Sequence, residues 1–135
     1  MSTRATAKFE VTGWEQSPYG DAEGPQLARA QVKKRFTGDL EGESTAELLM
    51  CGGAEGGAGY IAQEVVTGTL AGRAGTFVLQ HGGIRGAGTP YTFGAVVPDS
   101  ATGELRGLTG TVTYAHDERG AVLTLDYDFA AGIGS

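Results

Sequence analysis

The chain has few cysteines, no long apolar run and few positive charges, and each of these absences excludes a class of protein. A single cysteine, Cys51, excludes an intramolecular disulfide and any multi-cysteine metal site. No apolar run approaches the ~18 residues of a membrane-spanning helix, and the first residues lack the apolar segment of a signal peptide. We therefore predict a cytoplasmic protein with no membrane partner. The 10 Lys and Arg against 16 Asp and Glu leave a net charge of −6. This balance predicts no nucleic-acid partner, because such binding needs a basic surface that releases counterions from phosphate.

Recognised catalytic and cofactor motifs are also missing. There is no Gly-x-Ser-x-Gly elbow of a hydrolase, and neither Gly-rich phosphate-binding motif of nucleotide-binding proteins occurs. The two histidines, His81 and His116, are far apart in the chain, and no clustered carboxylate motif gives them the spacing of metal ligands. From these absences we predict no cofactor and no metal site.

Glycine and alternating strand patterns dominate what is present. Glycine contributes 24 of the 135 residues and recurs between segments rich in Val, Thr, Phe and Tyr with period-two alternation, which is typical of β-strands. The length corresponds to one domain, residues 1–135. The pattern predicts eight strands, at about 5–15, 26–37, 40–51, 58–70, 75–84, 89–97, 109–116 and 121–129.

Eight short strands joined by tight turns must avoid leaving a long unpaired edge. Closure into an eight-stranded antiparallel β-barrel removes the edges, whereas a β-sandwich leaves some of them. We therefore predict an all-β barrel and keep the sandwich as the alternative. A barrel of eight strands is just wide enough to be filled by side chains or to hold one small ligand.

Turn positions predict which residues face each other. The turn Gly38-Asp39 suits a type II′ hairpin, which would set Lys34 opposite Glu43 as an exposed ion pair. A turn at Gly72-Arg73 would set Glu64 directly opposite His81, on a strand face otherwise made of Val, Phe and Leu. A carboxylate beside an imidazole in an apolar wall can act as an acid/base pair. The alternative is a structural pair that only fixes the register of the two strands. Glu64 and His81 are the candidate catalytic residues.

Aromatic side chains form the other candidate site. Tyr91 and Phe93 share one face of a predicted strand, and Tyr60 shares a face with Glu64. Core packing is the ordinary role of such residues. If the barrel is not filled, they would line a ligand pocket whose polar points are Glu64 and His81. The predicted ligand-binding residues are Trp14, Tyr60, Tyr91 and Phe93.

Three segments resemble an uncharacterised bacterial family of barrel domains whose fold is similar to allene oxide cyclase. They are FTGDLEGES (36–44), VTGTLAGRAGTFVLQHGG (66–83) and VVPDSATGELRGLTG (96–110). The last also resembles the G-T-G-x-F turn of allene oxide cyclases and dirigent proteins, with Ala101 in place of the first Gly and Leu105 in place of the Phe. The resemblance spans about residues 6–129 and implies an eight-stranded antiparallel barrel. No catalytic residue of allene oxide cyclase matches a motif here, so none is assigned.

The sequence and the resemblance leave three hypotheses for the function. Relatives in the wider superfamily guide the cyclisation of small molecules in an apolar lumen, which implies a cyclase or isomerase acting on a small apolar molecule. The second is a barrel that binds a small ligand without converting it. The third is a filled barrel that acts as a scaffold and forms a homo-oligomer. Fold alone does not choose between them.

Overall fold

The structure is a computed structural model that describes residues 2–20, 23–86, 88, 90–118 and 120–130. Within these residues it contains β-strands and no helix, and therefore no helix long and apolar enough to cross a membrane. The strands are β1 (Thr3–Tyr19), β2 (Gln26–Gly38), β3 (Leu40–Gly52), β4 (Ala58–Leu70), β5 (Arg73–Arg85), β6 (Tyr91–Val96), β7 (Thr102–Gly103), β8 (Leu108–Asp117) and β9 (Gly120–Phe129).

Eight of these strands close into an antiparallel barrel. The hydrogen-bonded order is β4-β3-β2-β1-β9-β8-β6-β5, and pairing of β5 with β4 completes the circle. The two-residue strand β7 adds to β5 at Gly75 and Thr76. The predicted eight-stranded barrel is confirmed, and it replaces the sandwich alternative because pairing of β4 with β5 closes the sheet on itself.

Alternation along each strand divides the inside of the barrel from the outside. Inward positions near the turns after β2 and β4 are filled by large apolar side chains. This half of the lumen is packed, which anchors the strands. The fully buried members with the largest side chains include Phe36, Phe77, Leu40, Leu70, Leu79, Leu105, Leu108, Leu123 and Leu125.

The β4–β5 hairpin has a different register from the predicted one. Its two-residue loop is Ala71-Gly72, with Leu70 opposite Arg73, because Ala71 and Gly72 both adopt positive φ, at 51° and 83°. Glu64 therefore pairs with Leu79 and not with His81. A shift of two positions keeps every side chain on its predicted face, since the side-chain period of a strand is two.

The β2–β3 hairpin differs by one position, which has a larger effect. Phe36 pairs with Gly42, so Lys34 lies opposite Ser44, and Arg35 takes the place opposite Glu43. A one-residue slip moves a side chain to the other face of the sheet. The predicted exposed pair of Lys34 and Glu43 is therefore wrong, and Lys34 points into the barrel.

The β8–β9 hairpin has the predicted register. Tyr114 pairs with Leu123 and Val112 pairs with Leu125. Val112, Leu123 and Leu125 are buried, and Tyr114 packs against the same core. The alternating Thr and Asp residues of these strands lie on the outside, as a sheet solvated on one side requires.

Candidate functional site

A buried carboxylate, Glu64 on β4, lies at the centre of a polar cluster inside the barrel. Its side chain is fully buried. It accepts four hydrogen bonds, one each from a side chain of β2, β3, β5 and β8. The donors are Lys34 Nζ at 3.3 Å, Ser44 Oγ at 2.5 Å, His81 Nε2 at 2.9 Å and Tyr114 OH at 2.7 Å. A buried ion is tolerated only with such partners, so this cluster holds Glu64 in its charged form.

The surroundings of Glu64 shift its acidity. Burial alone would raise the pKa of this carboxyl group, but the hydrogen bond from His81 and the charge of Lys34 lower it, and bonds from Ser44 and Tyr114 lower it further. The net effect lowers the pKa of Glu64 from 4.5 to about 2. Burial and the negative charge of Glu64 raise the pKa of the Tyr114 hydroxyl well above its ordinary value. At neutral pH the carboxylate is therefore ionised and its oxygens are occupied by donors.

His81 links Glu64 to a tyrosine. Because an ionised carboxylate can only accept hydrogen bonds, His81 Nε2 must be the donor toward Glu64. In the neutral ring Nδ1 is then an acceptor, and it lies 3.0 Å from the hydroxyl of Tyr60, which donates to it. The two histidine nitrogens therefore connect Tyr60 on β4 with Glu64, four residues further along the same strand and on the same face.

The predicted placement of Glu64 and His81 is confirmed in its main feature. Both side chains are buried inside the barrel, on adjacent strands and in direct hydrogen-bond contact. They are diagonal neighbours, because of the register shift of the hairpin. Their predicted catalytic role stays a prediction.

Sequence reasoning missed three members of this cluster, Lys34, Ser44 and Tyr114. Lys34 is 9% exposed and its ammonium lies 5.0 Å from the ring centre of Phe9 and 4.6 Å from that of Tyr114, so aromatic faces and Glu64 together replace its water. A signal for Lys34 was available. It alternates with Ala28, Ala30, Val32 and Phe36, and these apolar residues mark the inward face of β2.

A cavity of about 1360 Å³ opens at the end of the barrel away from the packed core. Most of its lining is apolar, and Tyr60 is at the boundary between this cavity and the buried cluster. Neither Glu64 nor His81 lines it, so Tyr60 connects them to the open space. Burial and the charge of Glu64 raise the pKa of the Tyr60 hydroxyl, which therefore keeps its proton at neutral pH. Other lining residues include Gln16, Pro18, Leu27, Ala28, Leu48, Met50, Gly83, Ile84, Arg85 and Thr92.

A bulge in β1 places Trp14 in the cavity lining. Before it, the inward residues have odd numbers, such as Ala7 and Phe9. The pairing with β2 shifts between Val11 and Gly13, and from there Trp14 and Gln16 face inward, opposite the buried Val32 and Ala30. A bulge of this kind re-aims the side chains that follow it. Trp14 and Tyr60 are thus both on the cavity wall, and their role in ligand binding stays a prediction.

The other two predicted ligand residues are elsewhere. Tyr91 and Phe93 are 60% and 45% exposed and lie on the outer face of β6. Their neighbour Thr92 takes the inward position and lines the cavity. The prediction that Tyr91 and Phe93 line the lumen is wrong, because the strand presents its odd-numbered residues to the outside. Phe93 instead covers Gly82 of β5, where an added Cβ would lie 2.6 Å from its ring.

Comparison with known proteins identifies the family. Residues 5–129 match the family described as protein of unknown function (DUF3224). The chain belongs to this family. A DUF3224 crystal structure from Shewanella oneidensis MR-1, a protein of unknown function, is 36% identical with a TM-score of 0.86, covering 98% of this chain and 100% of that one. A search of curated proteins found no match. The predicted membership of an uncharacterised bacterial barrel family is confirmed; the likeness to allene oxide cyclase stays a prediction.

Proposed function

We propose that this DUF3224 barrel binds a small, mostly apolar molecule in the cavity at its open end, with the Tyr60 hydroxyl as the polar contact. The observation that carries this proposal is the cavity itself. Its volume of about 1360 Å³ exceeds the ~300–1,000 Å³ of ordinary small-molecule pockets. Its walls are mostly apolar, with Gln16, Arg85 and Thr92 among the polar lining residues, and the Tyr60 hydroxyl is the lining group that His81 orients. That combination is the usual composition of a ligand site.

The buried cluster supports a positioning role for Glu64 and His81. Glu64 holds His81, and His81 fixes the direction of the Tyr60 O–H bond. The remaining lone pair of the Tyr60 oxygen is then available to a donor on the ligand. Because each buried polar side-chain atom of the described residues has a hydrogen-bond partner, the cluster is already satisfied before any ligand enters. Such preorganisation lowers the entropic cost of binding.

A pair of adjacent leucines on β3 allows a matched test. Leu48 faces the cavity, whereas Leu49 is 44% exposed on the outside. We expect the neutral apolar dye N-phenyl-1-naphthylamine to bind the protein saturably and to quench Trp14, the single tryptophan, which lines the cavity. Leu48→Glu should weaken this binding about tenfold or more, because it places a charge in an apolar wall.

The control variant is Leu49→Glu, which adds the same charge one residue away on the other face of the strand. It should bind the dye as the wild type does. Circular dichroism of both variants establishes that the barrel is intact. Saturable binding that Leu48→Glu leaves unchanged, or no quenching of Trp14 by the dye, would refute the proposal.

A second candidate function, an isomerase or cyclase, is favoured by the continuous hydrogen-bonded path from Tyr60 through His81 to Glu64. A proton taken from a bound molecule by the Tyr60 oxygen could be compensated by transfer of the tyrosine proton to His81 Nδ1, with Glu64 stabilising the resulting imidazolium. The reverse transfer to another atom of the same molecule would complete an isomerisation.

Deuterium labelling distinguishes conversion from binding alone. The protein is incubated in D2O with a metabolite extract from bacterial cells, and the molecules that remain bound are analysed by mass spectrometry. An isomerase should leave deuterium in the bound compound, and Tyr60→Phe should abolish this label while the compound is still retained. A retained compound that carries no label with the wild type identifies the barrel as a carrier only.

A further inference from the structure

The outer surface of the barrel is charged on one side and uncharged on the other. Outward positions of β1, β2, β3 and β9 include Arg35, Glu43, Glu47 and Asp126. None of the outward residues of β4, β5 and β6 is Asp, Glu, Lys or Arg. This uncharged face consists of Gly59, Ile61, Gln63, Val65, Thr67, Thr69, Ala74, Thr76, Val78, Gln80, Gly82, Ile84, Tyr91, Phe93 and Ala95.

The two arginines at the ends of β5 do not belong to this face. The guanidinium of Arg73 lies over the ring of Phe129, 4.4 Å from its centre, and Arg85 lines the cavity. One carboxylate lies at the edge of the face, where Glu104 accepts a hydrogen bond from the backbone N–H of Ala74 at 3.0 Å. Three neighbouring strands without a charged outward side chain are unusual in a chain whose net charge is −6, because soluble domains normally carry charges of both signs over their surface. Depletion of charged residues is instead characteristic of the core of protein interfaces.

Exposed apolar side chains are continuous across the uncharged face. Ile61 and Phe93 both pair with Gly82, and Ile84 pairs with Tyr91. The side chains of Ile61, Ile84, Tyr91 and Phe93 are between 45% and 62% exposed. Single exposed apolar residues are ordinary, but a connected patch of them marks an interaction site.

The polar residues of this face suit a second copy of the same chain. Gln63 and Gln80 pair with each other in its middle, with Gln80 Nε2 donating to Gln63 Oε1 at 3.0 Å. An amide carries donors and an acceptor, so it can bond to the same residue of a copy, whereas a carboxylate or an ammonium would face its own charge across a two-fold axis. A face made of amides, hydroxyls and apolar groups can therefore pack against its own copy without bringing like charges together.

The size of the face is also adequate. β4 and β5 have 13 residues each and therefore run about 40 Å at ~3.3 Å per residue, and three strands are about 15 Å across. Because β6 has only 6 residues, the flat footprint is about 500 Å², of the same order as the ~800 Å² of accessible surface that each partner buries in a standard stable interface. From charge, apolar continuity and size together, we propose that the uncharged face of β4, β5 and β6 is the interface of a homodimer.

Two glutamines on either side of Glu47 provide the test. Gln31 of β2 and Gln63 of β4 each pair directly with Glu47 of β3. Gln31→Glu and Gln63→Glu therefore add the same charge next to the same carboxylate, but only Gln63 lies on the uncharged face. Sedimentation equilibrium measures the mass of each protein over a range of concentrations at physiological salt.

We expect the wild type and Gln31→Glu to have twice the 13.8 kDa mass of one chain. Gln63→Glu should raise the dimer dissociation constant about tenfold or more, because like charges then meet across the interface. Thermal unfolding of both variants controls for damage to the barrel. A monomeric wild type at 100 μM overturns the proposal, and so does a dimer that Gln63→Glu weakens no more than Gln31→Glu does.

Discussion

At the scale of single residues, Glu64 shows how an ion is accommodated in an apolar barrel. Removing a carboxylate from water costs several kcal/mol, and this cost is recovered only where partners replace the water. Lys34, Ser44, His81 and Tyr114 are those partners, and they come from four different strands around the lumen. Glu64 therefore connects four other strands through its hydrogen bonds, and we expect its removal to destabilise the whole barrel.

The lowered pKa of Glu64 predicts a loss of stability in acid. A carboxyl group whose pKa is lower in the folded state stabilises the protein above its ordinary pKa and loses that contribution as the pH falls toward the folded value. For Glu64 this interval runs from 4.5 down to about 2. We expect the free energy of unfolding to fall by about 3 kcal/mol over this interval on account of Glu64 alone.

The comparison uses urea unfolding at several pH values between 5 and 2. The double variant Lys34→Met/Glu64→Gln removes both charges, so no ion is left unpaired in the interior, and its stability should decrease less in acid by about that amount. Glu41→Gln, which removes an exposed carboxyl group on β3 opposite Thr69, should keep the wild-type slope. Equal slopes for the wild type and the double variant would show that Glu64 is not the group responsible.

At the scale of structural elements, turns set the registers that place the site. The loop Ala71-Gly72 determines which residues of β4 and β5 are neighbours, and its first position holds a non-glycine residue at φ 51°. An L-residue in this left-handed region costs roughly 1–2 kcal/mol, and Asn tolerates it better than Ala does. Asn-Gly is also the preferred sequence for a two-residue hairpin loop with positive φ at both positions.

Ala71→Asn is therefore expected to stabilise the protein. The predicted gain in the free energy of unfolding is roughly 1 kcal/mol or less, part of the left-handed cost of Ala71, measured by urea denaturation at neutral pH. Ala71→Val is the opposing control, because a β-branched side chain fits this backbone conformation poorly, and it should destabilise. If both substitutions shift the midpoint in the same direction, the turn geometry assigned here is incorrect.

At the scale of the whole molecule, the barrel has two asymmetries. Along its axis, one end is packed with Leu and Phe side chains and the other holds the cavity. Around its circumference, the charged strands β1, β2, β3 and β9 oppose the uncharged face of β4, β5 and β6. The first asymmetry supports ligand binding and the second supports self-association. The two surfaces share Gly59 and Ile84 at the rim of the cavity, but the tests use Leu48 and Gln63, which each belong to one surface, so the two proposals can fail separately.

Much of the fold was predictable because its signals are local. Period-two alternation and glycine turns located all eight barrel strands, and their tips differ from the prediction by only a few residues. The pairing of Tyr114 with Leu123 followed from the same pattern, since any loop of even length gives it. The inward placement of Glu64 and His81 was predicted correctly although the predicted register of the β4–β5 hairpin was wrong by two positions. A shift of two positions leaves each side chain on the same face of its strand.

The remaining features depended on tertiary structure. Lys34 was assigned to the outside because the predicted turn paired it with the exposed Glu43; a one-residue difference at the Gly38-Asp39 turn sets it opposite the buried Ser44 instead, and burial of Leu40 in the core accompanies the observed register. Tyr91 and Phe93 share a face in any strand, but only their neighbours decide whether that face is inside. The amino-acid sequence by itself determined the strands and the inward face that Glu64 and His81 share, and it favoured a barrel over a sandwich. Closure of the sheet decided which residues line the cavity, because the lumen forms only when distant strands meet.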